Sequence, residues 1–289
     1  KGVKMRVIES ISEMQQQANM WRKEGITIGF VPTMGYLHDG HLALVKKARQ
    51  LSDVVVVSIF VNPTQFGPGE DIERYPRDLK RDLGLLTEYG VDITFVPYSH
   101  EMYLQGYQTY VEVKELTQPL CGRSRPGHFQ GVTTVVAKLF NIVKADVAVF
   151  GEKDFQQLLA IRRMVADLNM DVEIVGHPIV RETDGIAMSS RNAYLSPDER
   201  QTALRLNRSL DEARRLVEDG ERNGDVILER VRSMLEKGRG LRIDYAELRH
   251  PESLQEVSLL EGPTLLALAA YVGKARLLDN RLITPPGMN

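Results

Sequence analysis

Two histidines three residues apart, His38 and His41, close the run Pro32-Thr33-Met34-Gly35-Tyr36-Leu37-His38-Asp39-Gly40-His41. At that spacing both imidazoles can face one ligand. Residues 26–31 form a short apolar run with β-branched members, which predicts a buried strand. Leu42, Leu44, Val45, Ala48 and Leu51 follow at helical spacing. The histidines therefore fall in a strand-to-helix turn, with Asp39 expected as the N-cap. A helix start offers unpaired N–H groups and the positive end of its dipole, so an anion such as phosphate is the natural guest. Gly35 and Gly40 let that guest approach the backbone. The same dipole disfavours imidazolium in the empty site, and a bound phosphate reverses the preference. A zinc pair is the weaker alternative, because no further ligand lies nearby in sequence. The plainest alternative is two half-buried histidines at a helix start.

Two more clusters carry chemistry. Lys153 and Asp154 follow the apolar run 147–150, where a lysine can hold phosphate and an aspartate can meet a ribose hydroxyl or cap a helix. Met188-Ser189-Ser190-Arg191 offers two hydroxyls and a guanidinium, donors suited to the outer phosphates of a triphosphate. A polar hinge loop is the alternative there. Asn62 and Gln65 are neutral hydrogen-bonding groups in a loop with Pro63, suited to a hydroxylated or carboxylated small molecule. The loop with Arg125 and His128 is either an anion site or a flexible connection. Asp71, Glu73, Asp78 and Asp82 are acids for magnesium near phosphates, with Asp82 the preferred one.

The elements that must position these groups alternate strand and helix. Strands are expected at 7–8, 26–31, 54–61, 93–96, 147–150 and 172–175. Helices are expected at 12–24, from Asp39, at 75–89, at 132–143 and after 157. This alternation predicts right-handed βαβ units and a parallel, Rossmann-like sheet. Ligands then lie beyond the carboxyl ends of the strands, where His38/His41, Asn62/Gln65 and Lys153/Asp154/Gln157 all fall. After residue 178 the texture changes. Ser196-Pro197-Asp198-Glu199 is a capping box opening a long helix, a second helix covers 226–236, and two or three strands close the chain. The expected division is a nucleotide-binding α/β domain over 1–178 and a smaller α+β lid domain over 179–289.

The 289 residues are 43% hydrophobic and 26% charged, with 37 basic against 39 acidic side chains, a net charge of −2. This is the composition of a globular chain with an ordinary core. Bulk charge argues for neither a nucleic-acid nor a membrane surface. The single cysteine, Cys121, rules out an intrachain disulfide and suits a reducing cytoplasm. No apolar run reaches the roughly 18 residues of a membrane span, and no signal peptide is visible. There is no Gly-x-Gly-x-x-Gly after a strand and no Walker-type Gly-Lys-Ser/Thr, which argues against dehydrogenase and P-loop readings.

The stretch from Pro32 to His41 resembles the nucleotide-binding turn of the nucleotidyltransferase and class I aminoacyl-tRNA synthetase superfamily. Met188-Ser189-Ser190-Arg191 resembles its second signature. Val61-Asn62-Pro63-Thr64-Gln65-Phe66, Tyr75-Pro76-Arg77, Arg125-Pro126-Gly127-His128-Phe129 and Gly151-Glu152-Lys153-Asp154-Phe155-Gln156-Gln157 narrow the resemblance to the pantoate–β-alanine ligase family. That resemblance implies ATP with magnesium, D-pantoate and β-alanine as partners, a pantoyl adenylate intermediate and a homodimer. It implies that Met34, Gly35, Tyr36, Leu37, His38, Asp39, Gly40 and His41 bind ATP, with His41 as proton donor and His38 on the phosphates. Gly151, Glu152, Lys153 and Asp154 would bind nucleotide, Lys153 on phosphate and Asp154 on ribose. Val180 would line the adenine pocket, and Met188, Ser189, Ser190 and Arg191 would grip the triphosphate from a closing lid. Gln65 and Gln157 would hold pantoate, with Gln65 also near β-alanine. Some relatives carry paired acids where this chain has Arg81-Asp82. A nucleotidyltransferase of the same superfamily, and a nucleotide-binding module without catalysis, remain the alternatives.

Overall fold

The computed structural model describes residues 5–288. It contains β1 (Arg6–Ile8), α1 (Ile11–Lys23), β2 (Ile28–Thr33), α2 (Asp39–Leu51), β3 (Val54–Ile59), α3 (Leu79–Glu88), β4 (Ile93–Phe95), α4 (Ser99–Met102), α5 (Cys121–Ser124), α6 (His128–Val143), β5 (Val147–Gly151), α7 (Phe155–Asp167) and β6 (Glu173–His177). After these come α8 (Pro197–Glu218), α9 (Gly224–Glu236), β7 (Leu241–Arg249), β8 (Thr264–Val272) and β9 (Ala275–Ile283). Two compact units result. One comprises residues up to 117, 125–152 and 156–178; the other comprises 118–124, 153–155 and 179 onward.

The first unit is built on a six-stranded sheet in the order β1-β4-β3-β2-β5-β6, and every pairing is parallel. Strand alternation sends successive side chains to opposite faces. Ile28 and Phe30 of β2 join Met14 and Ala18 of α1 and Val132, Val136 and Phe140 of α6. Val31 joins Leu42, Val45 and Ala48 of α2 and Leu86 of α3 on the other face. Each Val, Leu, Ile, Phe or Met among them contributes roughly 1.5–3 kcal/mol on burial. With helices over both faces, β2 and β3 need apolar residues at nearly every position, which is why they read as unbroken runs. β2 pairs with β3 on one side and β5 on the other. The order reverses at the β2–β5 pair, the place where open α/β sheets form their ligand crevice.

The second unit holds α8, α9 and a three-stranded antiparallel sheet in the order β7-β8-β9. Leu206, Leu210 and Ala213 of α8 and Ile227 and Val231 of α9 pack on Leu266, Leu268 and Ala270 of β8. The α8 start is the expected capping box: the Ser196 hydroxyl accepts from the Glu199 N–H at 3.3 Å, and the Ser196 N–H donates to Glu199 Oε2 at 2.8 Å. No helix among the described residues is long and apolar enough to cross a membrane.

Three local expectations are corrected. The N-cap of α2 is His38, in extended backbone, and Asp39 is the first helical residue. The helix expected at 75–89 runs Leu79–Glu88, because the Asp78 carboxylate accepts the Arg81 N–H at 3.0 Å and starts it there. Asp78 is thus a cap rather than a metal acid. The helix expected at 12–24 runs Ile11–Lys23, with Ser10 as its cap.

Candidate active site

β2 delivers the chain to the histidine turn. The Thr33 hydroxyl donates to the Ser58 carbonyl at 2.8 Å and accepts the Gly35 N–H at 3.1 Å, locking the strand exit. Gly35 has φ +82° and Tyr36 φ +50°, so the chain turns through two left-handed residues before α2. A Cβ on Gly35 would sit 2.9 Å from Ile59 Cγ2, so glycine is required by space as well as by φ. Leu37 then drops into the core at 1% exposure.

The two imidazoles lie with ring centroids 4.0 Å apart, tilted by 30°. His38 N–H donates to His41 Nδ1 at 3.3 Å. That bond makes Nδ1 an acceptor and assigns the neutral tautomer's proton to Nε2 of His41. Nε2 is thereby the N–H donor of His41, in the first turn of α2.

Next to this turn stands a neutral subsite. Gln65 Nε2 is 3.2 Å from Met34 Sδ. Its Oε1 accepts from Asn62 Nδ2 at 3.1 Å, which leaves the carboxamide oriented with its NH₂ as donor. Asn62 is 1% exposed. Its Nδ2 also donates to the Gly131 carbonyl at 3.1 Å, and its Oδ1 accepts from Tyr103 Oη at 2.7 Å and Thr64 Oγ1 at 3.0 Å. Burial pushes the Tyr103 phenol up to about 12, so it remains a donor. Gly131 lets α6 touch this loop: a Cβ there would fall 2.3 Å from the Thr64 carbonyl oxygen.

The Arg125 loop is neither of the things expected of it. Arg125 grips Glu70 with two bonds, Nε to Oε1 at 2.7 Å and Nη2 to Oε2 at 2.5 Å, and reaches the Gln65 carbonyl at 3.3 Å. His128 Nδ1 is 2.8 Å from that same carbonyl. The loop is a brace for Gln65. Burial alone would raise the Glu70 carboxyl, but the hydrogen bonds and charge of Arg125 outweigh it and hold it below the usual carboxylate range.

Asp82 departs furthest from expectation. Its side chain is 1% exposed. Oδ2 accepts the Tyr36 N–H at 2.7 Å and Oδ1 accepts the Leu37 N–H at 2.8 Å. Burial raises its carboxyl above the ordinary range, against the lowering by those amides and by Arg81. Both oxygens are committed to the turn, and the Tyr36 and Leu37 amides are committed to Asp82. Asp82 does not suit a magnesium ligand in this arrangement: its side chain is 1% exposed and both oxygens face main-chain amides.

In the second unit, Lys153 and Ser189 line one cavity together with Asn192, Asn207 and Asp279. The Lys153 carbonyl accepts from Asn280 Nδ2 at 2.9 Å, and Lys153 Nζ is 3.8 Å from Asp154. Residues 180–191 fold back on themselves: Met188 N–H donates to the Val180 carbonyl at 2.9 Å, placing those two expected nucleotide contacts side by side. The Arg191 N–H donates to Ser189 Oγ at 3.3 Å, and Ser190 is 7% exposed. Arg181 forms a paired bond to Asp279 at 2.7 and 2.9 Å, and Asn192 donates to Glu182 at 2.6 Å. Gly151, Glu152 and Gln157 belong to the first unit. Gln157 is half-buried, whereas Gln156 is buried and donates to the Leu116 carbonyl at 2.9 Å. Tyr103, Asp279 and Asn280 are not legible in the sequence as site residues. They act from distant segments, and no local spacing connects them to the groups they hold.

A family model described as pantoate-beta-alanine ligase matches residues 6–282. A pantothenate synthetase of Syntrophobacter fumaroxidans is 63% identical, covering 97% of this chain and 99% of its own. One from Geobacter sulfurreducens is 58% identical, covering 96% and 98%. Among solved structures, pantothenate synthetase from Thermus thermophilus aligns with a TM-score of 0.92 at 48% identity, covering 97% of this chain and all of that one (100%). The pantoate-beta-alanine ligase of Francisella tularensis, solved with beta-gamma ATP and beta-alanine, aligns with a TM-score of 0.80 at 35% identity, covering 96% and 97%. With matches of this extent, the chain belongs to the pantoate–beta-alanine ligase family.

Proposed function

We propose that this chain joins D-pantoate to β-alanine in two steps driven by ATP. A pantoate carboxylate oxygen attacks the α-phosphorus, the bond to the bridging oxygen breaks, and pyrophosphate departs, leaving pantoyl adenylate. The β-alanine amine then attacks the acyl carbon, the amide forms, the amine loses a proton and AMP leaves. Adenylation turns a poor acyl donor into a good one, and no side-chain nucleophile is required. The carrying observation is the histidine turn at the end of β2, with His41 Nδ1 engaged by the His38 amide so that Nε2 is its donor.

In this reading the first turn of α2, with His38 and His41, takes the phosphates, and charge developing on them is met by a donor already in place. Met34, Gly35, Tyr36 and Leu37 act through the shape of the turn, because the Tyr36 and Leu37 amides are engaged by Asp82. Lys153 and Arg191 supply positive charge, and Ser189 and Ser190 hydroxyls, of the kind that suits a triphosphate. Gly151, Glu152, Asp154 and Val180 serve the nucleoside, and Gln65 and Gln157 hold pantoate. Gln65 donates from its NH₂ group, a direction suited to a carboxylate or hydroxyl oxygen, and also lies near β-alanine. Magnesium accompanies ATP as part of the substrate. We place the enzyme in the cytoplasm as a homodimer, which light scattering tests. The reaction is tested by pyrophosphate release that requires pantoate, followed by amide formation on adding β-alanine. Release without pantoate, or with no amide product, favours the nucleotidyltransferase reading.

A further inference from the structure

We propose that Asp82 is a positioning residue that builds the phosphate-binding turn from behind, and is not a magnesium ligand. The inference deepens the ATP reading and rests on it. Asp82 lies in the first turn of α3, 46 and 45 positions from the residues it holds, Tyr36 and Leu37. Each carboxylate oxygen takes one amide, at 2.7 and 2.8 Å. These are charge-assisted bonds in a buried place, the stronger kind. They fall where the backbone most needs support. Tyr36 is a non-glycine residue at φ +50°, directly after Gly35 at +82°. A side-chain-bearing residue persists in the left-handed region when its surroundings over-determine it. The fit is close on the other side as well: a Cβ on Gly35 would stand 3.1 Å from Asp82 Oδ2. Arg81 completes the clamp, with its guanidinium 5.2 Å from the centre of the Tyr36 ring and Nη1 3.5 Å from Asp82 Oδ1.

The consequence is directional. Two successive amides in a turn of this kind would themselves make an anion nest. Asp82 occupies them, so an incoming phosphate is left with the opening amides of α2 from Asp39 onward and with the His41 Nε2 donor. A carboxylate inside an anion site looks unfavourable by Coulomb's law, yet here its charge is absorbed by the amides it aims. Asparagine is nearly the same size but has one acceptor where aspartate has two. In an Asp82→Asn variant one amide N–H faces an NH₂ group, and the turn must rotate.

The test compares the parent, Asp82→Asn and Asp82→Ala. Hydrogen exchange at the Tyr36 and Leu37 amides is followed in each, and the ATP Kd is measured by calorimetry once in EDTA and once with excess magnesium. The parent should protect both amides. The variants should lose that protection and weaken ATP by about tenfold or more, by the same factor in both buffers. Their thermal midpoints should fall by several degrees, because two amides of the turn lose their acceptor. A Kd unchanged in EDTA and weakened only with magnesium would make Asp82 a metal ligand and overturn the proposal. Unprotected Tyr36 and Leu37 amides in the parent would overturn it too, whether or not either variant folds. A parent that binds no ATP at all would instead sink the ATP reading, and exchange would still decide the clamp.

Discussion

The histidine turn is held by side chains that bond its main-chain amides, whereas residues 180–192 combine their own backbone bonds with ion pairs from α8 and β9. At the turn, Thr33, Gly35, Asp82 and the His38 amide fix main-chain directions within a few ångströms of the imidazoles. In the second unit, Arg181 pairs with Asp279, and Arg200 reaches Glu182 at 2.6 Å and Asp184 at 2.8 Å. The Arg200 group is about a third exposed at every member, at 31%, 27% and 30%. Bonds to buried main-chain amides are little affected by salt; partly wet charge pairs are sensitive to it. The first region thus resembles a fixed tool and the second an adjustable one.

The largest expected effect comes from the fixed tool. His41→Ala should lower turnover by about 10² or more while ATP binding stays within a few-fold, a loss of roughly 2.7 kcal/mol or more in transition-state stabilisation. Steady-state rates beside an ATP titration separate the two quantities. Turnover close to the parent's would remove His41 from the chemistry and leave the turn a binding surface only.

Next is the buried end of the adjustable region. Asp279 is 3% exposed and also accepts the Asn280 N–H at 2.8 Å. Asp279→Ala leaves Arg181, itself 23% exposed, without its carboxylate. The expected cost is about 2 kcal/mol in urea unfolding, below the full cost of breaking a buried pair because Arg181 can reach water. The KM for ATP should rise as well, since Asp279 lines the cavity with Lys153 and Ser189. A stable variant with normal KM would mean that the loop stands without its deepest anchor.

The Glu70–Arg125 brace sharpens the comparison, because it is an ion pair in the first unit, at side-chain exposures of 24% and 13%. Glu70→Gln should cost about 1 kcal/mol at pH 7 after allowance for solvent. Glu70 is held below its ordinary value, so its contribution is complete above about pH 5, where the unfolded carboxyl is ionised. It is lost as the pH falls through the lowered value. The difference between parent and variant in unfolding free energy should therefore shrink on acidification below about pH 4. A difference that grows in acid would contradict this sign.

How far the sequence reveals this design depends on where each residue's partner lies. The histidine turn is visible because strand run, turn and helix are contiguous, and the capping box at Ser196 for the same reason. The family motifs single out Gln65, Lys153 and Met188 as candidates in the same contiguous way. Asp82 is visible as an acid but not as a clamp, because its partners are 46 and 45 positions away and hydrophobic periodicity says nothing about backbone acceptors. Arg125 offers a guanidinium without its Glu70, and an unpaired arginine in a Gly-Pro loop naturally suggests an anion. Residue preference selects Asp39 as N-cap, yet His38 takes that position because the His41 ring accepts its amide, a local side-chain bond outweighing residue preference. Residues 118–124 and 153–155 pack with the second unit although they lie far from it in sequence. There Cys121 meets Tyr245 at 3.2 Å and Ser124 meets Asp244 at 3.0 Å. A linear reading of texture cannot detect such excursions.

The smallest expected effect is also the most direct test of whether the second region is tuned by charge. Arg200 leaves α8 to hold two carboxylates of the 180–191 segment at once, and through Glu182 it meets Asn192 on the far side of the serine-arginine run. Partly exposed pairs of this kind contribute about 0.5–1 kcal/mol, screened by salt. Arg200→Gln should therefore lower stability by about 0.5 kcal/mol at low ionic strength and by nearly nothing at about 1 M salt, where the Debye length is about 3 Å. The matched measurement is the ATP KM of parent and variant at both salt levels. If the ion pairs set the loop's geometry, the two KM values converge as salt rises. His41→Ala should show no such convergence, because the bond from the His38 amide that fixes its ring is not an ion pair. A salt-independent gap for Arg200→Gln would mean that its guanidinium acts through packing, and the contrast between a backbone-held and a charge-held region would lose its basis.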